Sequence, residues 1–314
     1  MRILFWGTPD FAVPSLRALL GEGHDVVGVV TQPDRPAGRG RTVRLSPVKL
    51  VAQDEALPVL QPESARGDDF LTVIRALEPE LSVVVAYGQI LKREVLDVPS
   101  LGSLNVHASL LPDLRGAAPI NWAIRLGHQD TGVTIMRMVE RMDAGPILHQ
   151  VVEPIGEEET GSDLWVRLSE IGAEALIEAL ALMELGEISE REQDESRATY
   201  APRITRETAR VDWHDNAVAI GRQIRAMDAV PGAWTSHRGN DLKLFRPLPE
   251  PDYAHDAKPG TVLHTDGTDD AEGMRVACAT GAVLVREVKP AGKRRMNTAE
   301  WVRGRGIEAG DHLH

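Results

Sequence analysis

Apolar positions along this chain follow two periods. Continuous apolar runs at Ile3–Trp6 and Val26–Val30 predict buried strands, and Leu81–Ala86, apolar but for Ser82, predicts another. Between them lie segments of helical pattern: Ser15–Leu20, stopped near Gly21 and Gly23, then Asp68–Leu77 and Gln89–Leu96. Ser46-Pro47 predicts a helix start, a capping hydroxyl followed by proline at the first helical position. Leu57–Leu60, Ser103–His107, Gly132–Met138 and Pro146–Ile155 predict further strands, with a helix over Ala117–Leu126. Strands alternating with helices predict a mostly parallel sheet in an α/β, Rossmann-like domain. Thr160 with Asp163 forms a capping box for a long helix, Asp163–Glu184, with Leu164, Leu168, Ile171, Leu176 and Leu180 facing the core.

From Glu187 to Thr208 the apolar period is lost and charge rises. A helix over Asn216–Met227 follows. Short strand-like runs come next, at 232–236, 241–245, 260–264, 274–279 and 282–288. Such runs separated by turns predict a small barrel of the oligonucleotide-binding type, an OB-like domain. The division expected is a first domain over 1–188, a linker over 189–207 and a second domain over 208–314.

Composition narrows the class. The 314 residues are 42% hydrophobic and 26% charged, as in globular proteins. One cysteine, Cys278, allows neither a disulfide framework nor a cysteine zinc site. No signal peptide and no spanning helix are expected, so the protein is read as cytoplasmic and away from membranes. A net charge of −12 argues against nonspecific coating of nucleic acid, though not against a local basic patch. Gly7 belongs to no G-x-G-x-x-G, and no phosphate-loop motif occurs.

The chemistry concentrates in one stretch. Leu104 and Val106 alternate with Asn105 and His107, so in an extended chain the amide and the imidazole share a face. A carboxamide N–H can stabilise a developing oxyanion, and an imidazole can move a proton near neutral pH. Ser109-Leu110-Leu111-Pro112 follows, and Pro112 ends ladder pairing. Asp143 sits in a turn, Asp143-Ala144-Gly145-Pro146, where an Asp serves as turn former or as catalyst. Tyr87-Gly88 closes a buried strand, a turn that can border a ligand crevice. Between Gln32 and Lys49 lie Arg35, Arg39, Arg41, Arg44 and Lys49 with one acidic residue, Asp34, which precedes the arginines. That is the composition of a solvated loop or of a phosphate-reading one. The end of the chain is basic again, with Lys293, Arg294 and Arg295 adjacent, fitting a solubilising tail or an RNA footprint.

The string Asn105-x-His107-x-Ser109-Leu-Leu-Pro112, then Arg115-Gly116-Ala117-Ala118-Pro119-Ile120, Thr131-Gly132-Val133-Thr134 and Met142-Asp143-Ala144-Gly145 resembles the folate-dependent formyltransferases. The resemblance runs from Ile3 to about Ile307 and is strongest to the branch that formylates an aminoacyl-tRNA. It implies transfer of a formyl group from 10-formyltetrahydrofolate, as cosubstrate, to the amino group of methionyl initiator tRNA. It implies Asn105 at the oxyanion, His107 stabilising the intermediate or shuttling the proton, and Asp143 holding His107 in position and accepting the amine proton, directly or through water. Ser109, Leu110, Leu111 and Pro112, with Tyr87 and Gly88, would border the folate. Arg35, Arg39 and Arg41, with Lys293, Arg294 and Arg295, would contact tRNA. No metal is implied, and a monomer is expected. Asp113 and Leu114 stand where relatives often carry a basic residue and an aromatic. Asp228-Ala229-Val230-Pro231 stands for Asn-Pro-x-Pro. Two other readings compete: formylation of a sugar-nucleotide amine, and a folate or RNA carrier without turnover.

Overall fold

In the computed structural model the described residues are 1–37, 42–265 and 273–314. In chain order the first elements are β1 (Arg2–Gly7), α1 (Val13–Gly21), β2 (Asp25–Val30), β3 (Arg35–Ala37), β4 (Thr42–Arg44), α2 (Pro47–Asp54) and β5 (Val59–Leu60). Next come α3 (Asp68–Ala76), β6 (Leu81–Val85), α4 (Arg93–Leu96), β7 (Ser103–His107), α5 (Pro119–Leu126), β8 (Asp130–Arg137), β9 (Ile147–Pro154) and α6 (Gly161–Leu185). The last are α7 (Ala217–Met227), β10 (Ala233–His237), β11 (Asn240–Glu250), β12 (Val262–Thr265), β13 (Met274–Ala277), β14 (Ala282–Pro290), β15 (Met296–Asn297) and α8 (Thr298–Arg303).

The local signals behave as their chemistry requires. The Ser46 hydroxyl accepts the Lys49 N–H at 3.1 Å, capping α2, a bond type worth about 1 kcal/mol. Asn216 caps α7 through the Ala219 N–H at 2.9 Å. Thr160 and Asp163 exchange bonds as a capping box ahead of α6. The helix expected from Gln89 begins only at Arg93. The Gln89 amide is engaged elsewhere, taking the Ala65 N–H and donating to Gln32 and Glu63.

The residues fall into two compact units: 1–119, 130–154 and 165–201 in the first, 120–129, 155–164 and 202–314 in the second. The first holds a seven-stranded sheet in the order β5-β2-β1-β6-β7-β8-β9. β5, β2, β1, β6 and β7 are parallel, and β8 and β9 return antiparallel. The chain builds outward from β1 to β2 and β5, then comes back to β6 on the other side of β1. In an open α/β sheet such a reversal is the usual place of a ligand crevice, here beyond the carboxyl ends of β1 and β6. Trp6, Val84, Tyr87 and Leu91 pack with Ile74 and Leu71 in one apolar cluster. The second unit holds an antiparallel sheet, β10-β11-β14-β13-β12, with β15 added on β14.

The strand expected to stop at Phe245 runs on to Glu250, through Pro247 and Pro249. β10 covers only residues 240–244 of β11, so beyond them β11 has β14 alone as neighbour. A proline lacking an N–H is tolerated on such a one-sided stretch. Cys278 is buried, its thiol pushed up to about 12 by burial.

Candidate active site

Asn105 and His107 lie on β7, between the parallel partner β6 and the antiparallel partner β8. Asn105 is half-buried, and its carboxamide has no hydrogen-bond partner among the described residues. His107 is buried, and its Nε2 lies 3.1 Å from the Leu114 carbonyl. A carbonyl only accepts, so Nε2 carries a proton, and in the neutral ring Nδ1 keeps its lone pair. Nδ1 faces Asp143 Oδ2 at 3.9 Å. Two acceptors opposed in this way hold no bond until a proton arrives on Nδ1, which then becomes one half of an ion pair.

The resemblance casts Asp143 as the residue holding His107. In the structure the ring is held by the Leu114 carbonyl, and Asp143 stands just beyond hydrogen-bond reach. Leu114 lies in the left-handed region, φ 59°, within the bend that brings its carbonyl to the ring. Asp143 is fixed from the other side: Oδ2 accepts the Gly116 N–H at 2.7 Å. Gly116 has φ 122°, and a β-carbon there would lie 2.7 Å from the Ala201 carbonyl oxygen, so only glycine fits.

Residues 191–201 hold this arrangement together, and the sequence reading missed them. The Gln193 carboxamide donates to the Asp143 carbonyl at 2.9 Å and the Gly145 carbonyl at 2.8 Å. Its oxygen accepts from Arg115 Nε and Nη2. Arg115, 1% exposed, is completed by Glu195. Hydrogen bonds from Arg115 and then Arg141 hold the Glu195 carboxyl down at about 2. Its folded-state value is depressed, so the pair is fully present above the ordinary carboxylate range and is lost only as pH falls through about 2. Thr199 accepts the Leu114 N–H through its hydroxyl and the Arg115 N–H through its carbonyl. One clamp thus secures both the loop that aims at His107 and the loop that carries Asp143. A polar, aperiodic stretch gives no sign of this, because its partners are 48 to 85 residues earlier in the chain.

The other expected site residues are placed unequally. In Ser109-Leu110-Leu111-Pro112 every carbonyl is already engaged: Ser109 by Thr134, Leu110 by the Asp113 N–H, Leu111 by Gln150 and Pro112 by the Thr199 N–H. The segment is a rigid wall at the end of β7 rather than a row of free acceptors, with Leu111 packed against Met136 and Ile147. Tyr87 is 2% exposed, and its ring belongs to the apolar cluster below the crevice. Its carbonyl takes Thr8 and Gln32, while Gly88 is exposed at φ 92°.

Arg35 is exposed at the base of the β3–β4 ribbon, paired in register with Arg44. Arg39 and Arg41 lie outside the described residues. Lys49 is a tether: it contacts Asp34 at 2.5 Å and Gln61 at 2.6 Å, and the Lys49 bond lowers the Asp34 carboxyl. Lys293 is exposed, and Arg294 pairs with Glu300. Arg295 is committed internally, to both oxygens of Asp228, to Glu287 and over the Phe245 ring at 4.0 Å. Among the described residues no group of three or more His, Cys, Asp or Glu could hold a metal ion.

Residues 1–180 match the family model described as formyl transferase, and residues 203–306 match the formyl transferase C-terminal domain. Methionyl-tRNA formyltransferase of Methylococcus capsulatus is 46% identical over 313 residues, covering 100% of this chain and 99% of the relative. The enzyme of that name from Bacillus subtilis is 45% identical, covering 99% and 97%. The chain belongs to the methionyl-tRNA formyltransferase family. Solved structures agree in fold. HypX from Aquifex aeolicus in complex with tetrahydrofolic acid superposes with a TM-score of 0.62 at 23% identity, over 96% of this chain and 47% of that one. The N-formyltransferase from Helicobacter canadensis, in complex with folinic acid and dTDP-3-aminofucose, gives 0.65 at 16% identity, over 94% and 100%.

Within this family frame the clamp carries a prediction. Gln193→Glu retains an acceptor for Arg115 but places a carboxylate against the Asp143 and Gly145 carbonyls. Misplacement of a catalytic loop by about 1 Å can cost about 10²-fold. Steady-state kinetics should show a loss approaching this in kcat, with KM for the acceptor little changed.

Proposed function

We infer that this protein transfers the formyl group of 10-formyltetrahydrofolate to the free amino group of methionyl initiator tRNA, giving N-formylmethionyl-tRNA for translation initiation. The observation that carries the chemistry is a carboxamide without a partner and an imidazole two residues on along β7, with a carboxylate 3.9 Å from its Nδ1. That donor set suits a folate-borne formyl group: one N–H for an oxygen that becomes negative and one base for an amine that loses a proton. The folate, when bound, supplies the formyl carbon. Asn105 Nδ2–H then donates to the oxygen as its charge develops. As the amine nitrogen bonds to the formyl carbon, His107 takes the amine proton at Nδ1, and the imidazolium so formed is stabilised by Asp143 Oδ2 and by the Nε2–H bond to Leu114. When the oxyanion collapses, the bond from the formyl carbon to N10 of the folate breaks and the imidazolium returns its proton to that nitrogen, so tetrahydrofolate leaves as the amine. Ser109–Pro112 and the Tyr87-Gly88 turn border the folate as fixed surfaces. Arg35, Arg39 and Arg41 with Lys293 and Arg294 engage the tRNA, and Arg295 acts by shaping the second unit.

The acting unit in this reading is one copy, whose own β7 and Asp143 turn supply Asn105, His107 and Asp143. Its compartment is that of protein synthesis, the cytoplasm; no helix among the described residues is long and apolar enough to cross a membrane. The test is formyl transfer from 10-formyltetrahydrofolate to methionyl initiator tRNA beside a UDP-linked amino sugar. Transfer to the aminoacyl-tRNA alone is expected. Transfer to the sugar nucleotide alone would overturn the acceptor, and folate binding without transfer to either would favour a carrier.

A further inference from the structure

A cavity of about 420 Å³ lies wholly within the second unit, and four arginines line it: Arg225, Arg246, Arg286 and Arg295. In an acidic protein this concentration needs a reason. The β11–β14 register pairs Phe245 with Glu287 and Pro247 with Val285, which sets Arg246 directly across from Arg286. Like charges opposed across strands are destabilising. Arg246 has one long contact to Glu287, at 3.4 Å, and that carboxylate is also held by Arg295. Arg286 is half-buried, and its Nε is buried with no hydrogen-bond partner. A buried guanidinium N–H left unsatisfied is costly. Arg225 spends two bonds on the carbonyls of Gly156 and Glu159, and burial and then Arg222 lower its affinity for its proton.

The carboxylates nearby act on other groups: Glu159, Glu157 and Glu158 lie toward Arg225. Asp228 is taken bidentately by Arg295. Asp163 is occupied by Thr160 as the α6 cap, and Glu158 is exposed at the rim. What the cavity lacks is an acceptor for Arg286, and any for Arg246 beyond its long contact to Glu287, and planar guanidinium forks match phosphate oxygens. We propose that this cavity is an anion site that takes one phosphate group, gripped by Arg286 and Arg246 with Arg225 behind them. The group is either a free phosphate or a phosphodiester of bound RNA.

Two arms test this on the full chain. In the first, inorganic phosphate is titrated at constant ionic strength, made up with chloride, while thermal unfolding is followed. Wild type should be stabilised saturably, as a ligand selective for the folded state requires, and Arg286→Gln should lose that response. In the second, methionyl-tRNA binding is measured against salt. Loss of one phosphate contact should lower the slope of log K on log salt by about one. A changed slope assigns the site to RNA, whereas a lost phosphate response with an unchanged slope assigns it to a free anion. If Arg286→Gln matches wild type in both arms, the site does not exist. Should Arg286→Gln fail to fold, Arg246→Gln is read in the same way. The phosphate arm uses no tRNA, and formyl transfer assayed alongside reports separately on the acceptor.

Discussion

Asn105→Ala should lower kcat for formyl transfer by about 10²–10³, the usual loss for one oxyanion donor, while KM for both substrates changes little. The carboxamide is suited to this because it has no partner among the described residues and no structural bond to lose. Its backbone stays in the ladder between β6 and β8, so the fold has no reason to move. The mutation thus separates the transition state from the ground state. A donor that meets the oxygen only as charge develops affects kcat, whereas one that merely holds the formyl group would raise KM. Asn105→Asp sharpens the point, since a carboxylate is nearly isosteric but opposes the oxyanion. Full turnover by Asn105→Asp would falsify the assignment.

The second large effect is at His107 and Asp143. Loss of a positioned proton carrier typically costs about 10²–10⁴, and His107→Ala should fall in that range. Asp143→Asn keeps an oxygen for the Gly116 N–H but removes the charge that faces Nδ1. It should reduce kcat strongly and leave the melting temperature close to wild type. The two residues act as a unit, because the carboxylate is useful only once His107 has taken the proton. The double variant should therefore lose little more than His107→Ala alone. Losses that multiply would mean that Asp143 takes a proton independently of the imidazole.

The proposed catalytic pair was legible along the chain because it is local. Two residues two positions apart on a strand share a face whatever surrounds them, so Asn105 and His107 could be placed together from the alternation alone. The caps at Ser46, Thr160 and Asn216 are local for the same reason. The meaning of Asp143 was not local. Alone it reads as a turn former; resemblance to a family raised it, and the fold set its distance from Nδ1.

Charge was the least legible property. Lys49 and Arg295 belong to basic runs in the sequence, yet one tethers Asp34 and Gln61 and the other is enclosed by Asp228 and Glu287. A basic run records how many cations are present; their partners come from elsewhere in the chain. Tyr87 likewise lies at the strand end where a ligand crevice is expected, but its ring points into the core.

By itself, then, the sequence determined the alternation of strands and helices, the shared face of Asn105 and His107 and the family to which their motif belongs. Only the tertiary structure decided what holds them. The Leu114 carbonyl sets the tautomer of His107, and Gln193, Glu195 and Thr199 secure the two loops from 48 to 85 residues away. Side-chain periodicity reports on neighbours within one element, whereas a hydrogen bond between loops depends on how distant segments are brought together, and no local pattern encodes that.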